Sequence, residues 1–189
     1  SKFAYVDLGG FIVNKLETRM LELLKRLKME NNVLAVKAEF EAEGSRKDEL
    51  IRLNELVFRA DMKLFIKIGG CEAVRDLDQC RLLGASGIMA PMIESPFAMK
   101  KFVGAAKKVY GPEVSDIEWI INAETKTCKQ NFDEILDQGA GFLNTISIGR
   151  VDLSASMGLT RDAINGEEVF ETSQYFAKKA KAAGVVVGF

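Results

Sequence analysis

The sequence contains no histidine. That removes the side chain most often used as a general base near neutral pH and the commonest zinc ligand. Any chemistry must therefore run on carboxylates, lysine, arginine, thiols or a metal ion. Cysteine is scarce as well. Cys71, Cys80 and Cys128 are odd in number and show no Cys-x-x-Cys spacing, which argues against a disulfide framework and reads as reduced thiols in a cytoplasmic protein. Neither sign of charge is in excess, with 26 Lys plus Arg against 27 Asp plus Glu and a net charge of −1. No strong field exists to hold nucleic acid or an anionic membrane. No apolar run approaches the ~20 residues a membrane span needs, and no basic-then-apolar leader opens the sequence. Low-complexity linkers are missing too, so the 189 residues read as one domain with a substantial core.

What is present alternates. Short apolar runs predict buried strands at about 33–40, 64–68, 87–93, 117–122, 143–148 and 185–189. The opening "FAYVDLGGFIV" offers one more. Helical stretches lie between them. Over 14–30, Leu16, Met20, Leu23, Leu24 and Leu27 share one face at helical spacing. Ser45 followed by Asp48 resembles a capping box for a helix with the stripe Leu50, Leu53, Leu56 and Val57. "SPFAMKKFVGAAKKVYG" has a Ser N-cap, a Pro in the first turn and a terminal Gly, and a further helix is expected near 167–183. Strand–helix repetition of this kind is the mark of βα units on a parallel sheet. No Gly-rich nucleotide turn follows any strand, which disfavours an open nucleotide-binding sheet. Polar residues at the strand ends favour a (β/α)8 TIM barrel, whose site is assembled from several βα loops. Six or seven strands fall short of the eight, and of the ~250 residues, typical of a barrel. The chain also stops inside an apolar run at Phe189. The expectation is a single barrel domain over 1–189 lacking its last one or two βα units.

Two carboxylates stand out. Glu124 and Asp152 each follow an apolar run and each lead into a helix. Carboxylates at helix starts favour the helix dipole by a few tenths of a kcal/mol. Set on neighbouring strand ends they also suit a hard divalent cation, which takes oxygen ligands. Position alone leaves both readings open. Glu39, Glu41 and Glu43 alternate, so at strand spacing they share a face: one of them is a candidate base, or all three are a solvated strand end. Asn122, two positions before Glu124, points to the same side and is placed to orient a ligand. Glu94 reads as a turn residue before Ser95-Pro96. "KIGGCEA" is a glycine-rich strand-to-helix turn that permits close approach of an anion, with Cys71 beside it.

The stretches "PMIESPFAMKKFV", "INAETKTCKQNFDEIL" and "ISIGRVDLSASMGL" resemble consecutive strand ends of the HpcH/HpaI aldolase and citrate lyase beta-subunit family. The match runs from about Lys67 to Leu159, and more loosely from Val33. The resemblance places the family's metal-binding Glu on Glu124 and its metal-binding Asp on Asp152. It implies Mg2+ or Mn2+, with the oxygens of a keto acid or acyl-CoA substrate completing the shell, and a carbon–carbon lyase reaction. It also implies a homo-oligomer, a trimer or hexamer. Family members that cleave hydroxy-dioxo acids carry a His after an early strand and an Arg on the next one. Here Gly44 stands at the first place and Lys67 at the second. On this reading Arg150 and Lys67 balance the substrate carboxylate, and Glu41 or Glu43 assists proton transfer. A rival is a non-catalytic descendant that binds metal or keto acid as a sensor or assembly subunit. A third reading is phosphoenolpyruvate-type lyase work, with a phosphate-sized anion held by the "KIGG" turn.

Overall fold

A computed structural model describes residues 14–188. The elements run α1 (Lys15–Asn31), β1 (Ala35–Glu39), α2 (Lys47–Arg59), β2 (Lys63–Lys67), α3 (Val74–Leu82), β3 (Gly87–Ala90), α4 (Pro96–Tyr110), β4 (Glu118–Ala123), α5 (Lys126–Gln130), α6 (Phe132–Gly139), β5 (Thr145–Ile148), α7 (Arg150–Ser156), α8 (Glu167–Ala182) and β6 (Val186–Gly188). Two 3-10 turns, Gly111–Asp116 and Arg161–Asn165, complete the path. All six strands are parallel and stand in sequence order, β1 to β6. Each predicted run from 33 onward thus becomes a strand. The opening run lies outside the described residues. Among the described residues β1 pairs only with β2 and β6 only with β5, so the sheet is an open run of six strands and not a closed barrel.

Register explains how the sheet sorts its side chains. Alternation sends Leu64, Ile66, Ile88, Trp119, Ile121 and Ile146 to one face, where all are buried against the helices. Trp119 anchors that layer: its ring stacks on Phe142 at 5.0 Å and meets Phe102 and Tyr110 edge-on, and its Nε1–H donates to Val114 O at 2.8 Å. The opposite face carries a different set, with Glu39 beside Lys67, Lys67 beside Met89, and Asn122 beside Ser147. Polar and charged residues thus collect on the face turned away from the helices, toward the carboxyl ends of the strands.

Three local expectations are corrected. The N-cap of α2 is Arg46, not Ser45: Glu49 Oε2 accepts the Arg46 N–H at 2.9 Å, while the Ser45 N–H closes the preceding turn onto Glu39 O. Helix α1 forms as its spacing predicts, but none of its residues is buried, and Leu16, Leu23 and Leu27 are exposed. The described residues supply α2 as its neighbour, through the Arg52–Glu17 ion pair, and only Leu24 of its stripe reaches the core. The strand face expected to carry Glu39, Glu41 and Glu43 ends at Glu39. Among the described residues no helix is long and apolar enough to cross a membrane.

Candidate active site

Strand β4 ends at Ala123, and Glu124 follows it directly. The side chain is almost fully buried, at 1% exposure. Both oxygens are fixed: Oε1 accepts a hydrogen bond from the Met92 N–H at 2.9 Å, and Oε2 accepts one from Asn122 Nδ2–H at 2.8 Å. Met92 reaches that position in the left-handed region, at φ 50°, a conformation uncommon for a residue with a side chain. Burial pushes the Glu124 carboxyl above the usual carboxylate range. The Met92 N–H, the Lys67 charge and the Asn122 amide act against that push, and the charge of Asp152 adds to it. The other atom of the Asn122 amide, Oδ1, is buried without a hydrogen-bond donor.

Asp152 comes from the neighbouring strand end. Ala123 pairs with Ile148, and the Gly149 N–H donates to Ala123 O at 3.3 Å, which ties the two ends together. Helix α7 starts immediately after Gly149, and the Leu153 N–H closes its first turn on Gly149 O. Asp152 lies half-buried in that turn. Glu124 has no capping duty, because Thr125 Oγ1 caps α5 by accepting the Cys128 N–H. The two carboxylates therefore sit at adjacent strand ends and act electrostatically on one another.

Lys67 ends β2 on the same face. Its ammonium lies 3.9 Å from Glu39 Oε1, and its charge reaches Glu124. Glu39 is the buried acid of its trio, at 4% exposure, and also binds Lys37 Nζ at 2.6 Å. Burial alone raises its carboxyl, but the Lys37 hydrogen bond and the charges of Lys67 and Lys37 outweigh that and hold it below the usual range. Glu41 and Glu43 follow in an exposed turn. Glu43 pairs with Lys37 at 3.4 Å, and the Glu41 side chain lies across Gly69, where a Cβ would come within 2.7 Å of its Cγ. Sequence reasoning named Glu39 only as one of three. No local signal set it apart, because the same polar alternation continues through Glu41 and Glu43.

The remaining candidates are held as follows. Arg150 is exposed and donates to Asn165 Oδ1 at 2.6 Å, across to the 3-10 turn that follows α7. The paired glycines do not form an open anion cradle, because Asp76 Oδ2 already accepts the Gly69 N–H at 2.7 Å. Glu94 serves the turn, its carbonyl accepting from Asn131 Nδ2. Burial pushes the Cys128 thiol up to about 12 and raises that of Cys80, which leaves both inert.

A divalent cation fits this donor set. Glu124 is a dehydrated carboxylate whose charge burial disfavours, and the Asn122 Oδ1 acceptor beside it has no hydrogen-bond donor. Among the described residues no three Cys, Asp or Glu side chains converge. Glu124 and Asp152 would be the residues to hold such an ion, with waters or substrate oxygens in its remaining positions.

The chain is similar in structure to an HpcH/HpaI aldolase from Desulfitobacterium hafniense DCB-2, with a TM-score of 0.75 and 18% identity over 89% of this chain and 72% of that one. An HpcH/HpaI aldolase/citrate lyase family protein from Burkholderia cenocepacia J2315 gives a TM-score of 0.75 at 14% identity, over 90% and 74% of the two chains. The citrate synthase SbnG gives 0.72 at 16%, over 88% and 71%. No curated protein matches in sequence. The HpcH/HpaI aldolase/citrate lyase family matches residues 35–188, from the first strand of the sheet to its last, and the chain belongs to that family.

Proposed function

We propose that the protein is a divalent-metal-dependent carbon–carbon lyase acting on a 2-oxo or 3-hydroxy acid or its CoA thioester. The observation that carries this reading is the pairing of buried Glu124 with Asp152 at adjacent strand ends, with the Lys67 ammonium on the same face. Glu124 and Asp152 would hold Mg2+ or Mn2+. Such an ion supplies Lewis acidity, making it easier to break or form a bond at the carbon next to a carbonyl. The remaining work falls to the chain. The Met92 N–H and the Asn122 amide hold Glu124 in one rotamer, so no reorganisation is needed when the cation arrives. Lys67 offers a cation for the substrate carboxylate, though without the two-pronged geometry of arginine. Of Glu41 and Glu43, Glu41, over Gly69, is the one without an ion pair among the described residues and so the one assigned to proton transfer, because Glu43 is paired with Lys37.

A second reading, a family member that binds metal and keto acid without turnover, is favoured by the absence of histidine and by the lysine at position 67. One experiment separates the two. Calorimetry with Mg2+ and Mn2+, with and without oxalate or pyruvate, is run on wild type, Glu124→Ala and Asp152→Ala, alongside a pyruvate-release assay on hydroxy-oxo acids. Lyase function predicts metal binding that oxalate tightens, loss of both in each variant, and turnover by wild type. Binding without turnover selects the second reading. Metal binding indifferent to both substitutions sinks both readings.

A further inference from the structure

Lys67 is the cation whose charge reaches Glu124, and the way it is held is informative. Its side chain is only 15% exposed, yet among the described residues its ammonium makes no hydrogen bond. Its ion-pair partner is Glu39, and at 3.9 Å that contact is charge attraction, beyond hydrogen-bond reach. The other oxygen of Glu39 is engaged differently, by Lys37 Nζ at 2.6 Å. The backbone sets this arrangement. Glu39 and Lys67 are register partners on β1 and β2, and Lys37 precedes Glu39 by two residues on the same face. One buried carboxylate thus serves two lysines, tightly for the outer and loosely for the inner.

We propose that Glu39 is a positioning residue for Lys67. It anchors the ammonium by charge and leaves the three N–H donors of Lys67 free for an incoming carboxylate. Lys37 draws the carboxylate from its other side, holding Oε2 at 2.6 Å, while Oε1, the oxygen nearest Lys67, stays 3.9 Å from the ammonium. An ammonium spent on a direct hydrogen bond to Glu39 has to break it before holding a substrate; one held at 3.9 Å does not. This rests on the reading of the site as one for a keto acid.

The sign of one substitution effect separates positioning from plain electrostatics. Glu39→Gln removes a negative charge beside the site, so Coulomb attraction alone makes an anion bind more tightly. Loss of positioning does the opposite. Oxalate is titrated into Mn2+-saturated wild type, Glu39→Gln, Lys67→Met and the double variant. We expect Glu39→Gln to weaken oxalate about tenfold, to add nothing in the Lys67→Met background, and to leave Mn2+ affinity without oxalate within about twofold. Reductive methylation read by peptide mass spectrometry provides a measure that needs no ligand. Lys67 should label several-fold faster in Glu39→Gln, with the exposed Lys63 and Lys100 unchanged. Oxalate that binds Glu39→Gln as well as wild type, or better, overturns the proposal and leaves the keto-acid reading standing. Wild type that binds Mn2+ but not oxalate overturns the keto-acid reading and the presentation of Lys67 to an anion. An unchanged Lys67 labelling rate overturns the anchoring role of Glu39 whatever oxalate does.

Discussion

Gly149 lies directly against Glu124: a Cβ at position 149 would sit 2.5 Å from Glu124 Oε2 and 2.8 Å from its Cβ. The glycine is needed for space and not for backbone freedom, because its φ of −85° suits any residue. Moving Oε2 alone would be cheap, but the contact with Cβ forces the strand end itself to move. Gly149→Ala should therefore cost about 1–3 kcal/mol, the usual price of overpacking. It should also displace the carboxylate from Asn122 and Met92 and weaken Mn2+ at least tenfold, about 1.4 kcal/mol. Urea denaturation and Mn2+ calorimetry on the same sample check both effects. Unchanged metal affinity would show that Glu124 does not bind the ion in the rotamer described.

Lys67 and Arg150 were equal candidates for a substrate carboxylate, and their surroundings now separate them. Lys67 is mostly enclosed and faces Glu124 by charge, whereas Arg150 is exposed and bonded to Asn165. Lys67→Met should weaken oxalate at saturating Mn2+ by about tenfold or more, and Arg150→Met by less than about twofold. The Arg150 change should cost under about 1 kcal/mol of stability, as exposed polar contacts do. Equal losses of oxalate affinity would restore Arg150 to the site.

How much of this was legible in the sequence depended on length and locality. The strands of the sheet announced themselves because parallel strands bury apolar residues in near-continuous runs, and Glu124 and Asp152 were visible as the acids that end two of those runs. A helix was expected after each, but the bounds of α5 and α7 were not legible, since five and seven residues show too little periodicity to place. The end of β1 was hidden because Lys37, Glu39, Glu41 and Glu43 continue one polar alternation across the place where the strand stops. Only the turn geometry, with Phe40 N–H on Lys67 O, puts Glu39 inside and the next two acids outside. The α1 stripe was legible as a helix face, but periodicity does not say what covers it. Arg150 meets Asn165 fifteen positions away, a contact that no local pattern encodes.

Glu39 also makes a prediction in pH. Its folded carboxyl titrates below the unfolded range, so the folded state holds fewer protons and ionisation favours folding. That contribution is present above the unfolded value, about 4.3, and is lost as the pH falls through the folded one. Glu39→Gln should therefore be less stable than wild type at pH 7, by up to about 3 kcal/mol, the low end for breaking a buried ion pair. Its deficit should shrink as both proteins are taken below pH ~4. Urea midpoints at pH 7 and at acid pH measure the difference. A deficit independent of pH would mean that Glu39 stabilises by packing and not by charge.

Asn122 offers the sharpest test of whether a cation belongs beside Glu124. It donates to Oε2 at 2.8 Å, and its own Oδ1 is buried with no donor. Asn122→Asp replaces that donor with a second carboxylate at the same distance, in a place where burial already disfavours the first. Without metal the two acids cannot both ionise comfortably, and the lost hydrogen bond adds about 1–3 kcal/mol of destabilisation. For a chain of this size each kcal/mol lowers the melting temperature by about 2–4 °C. A divalent cation reverses the argument, since it meets one more carboxylate. Asn122→Asp should therefore melt several degrees below wild type in EDTA and gain more than wild type on addition of Mn2+. If Mn2+ raises the two melting temperatures equally, the cation does not bind beside Glu124, and the paired strand-end carboxylates need another explanation.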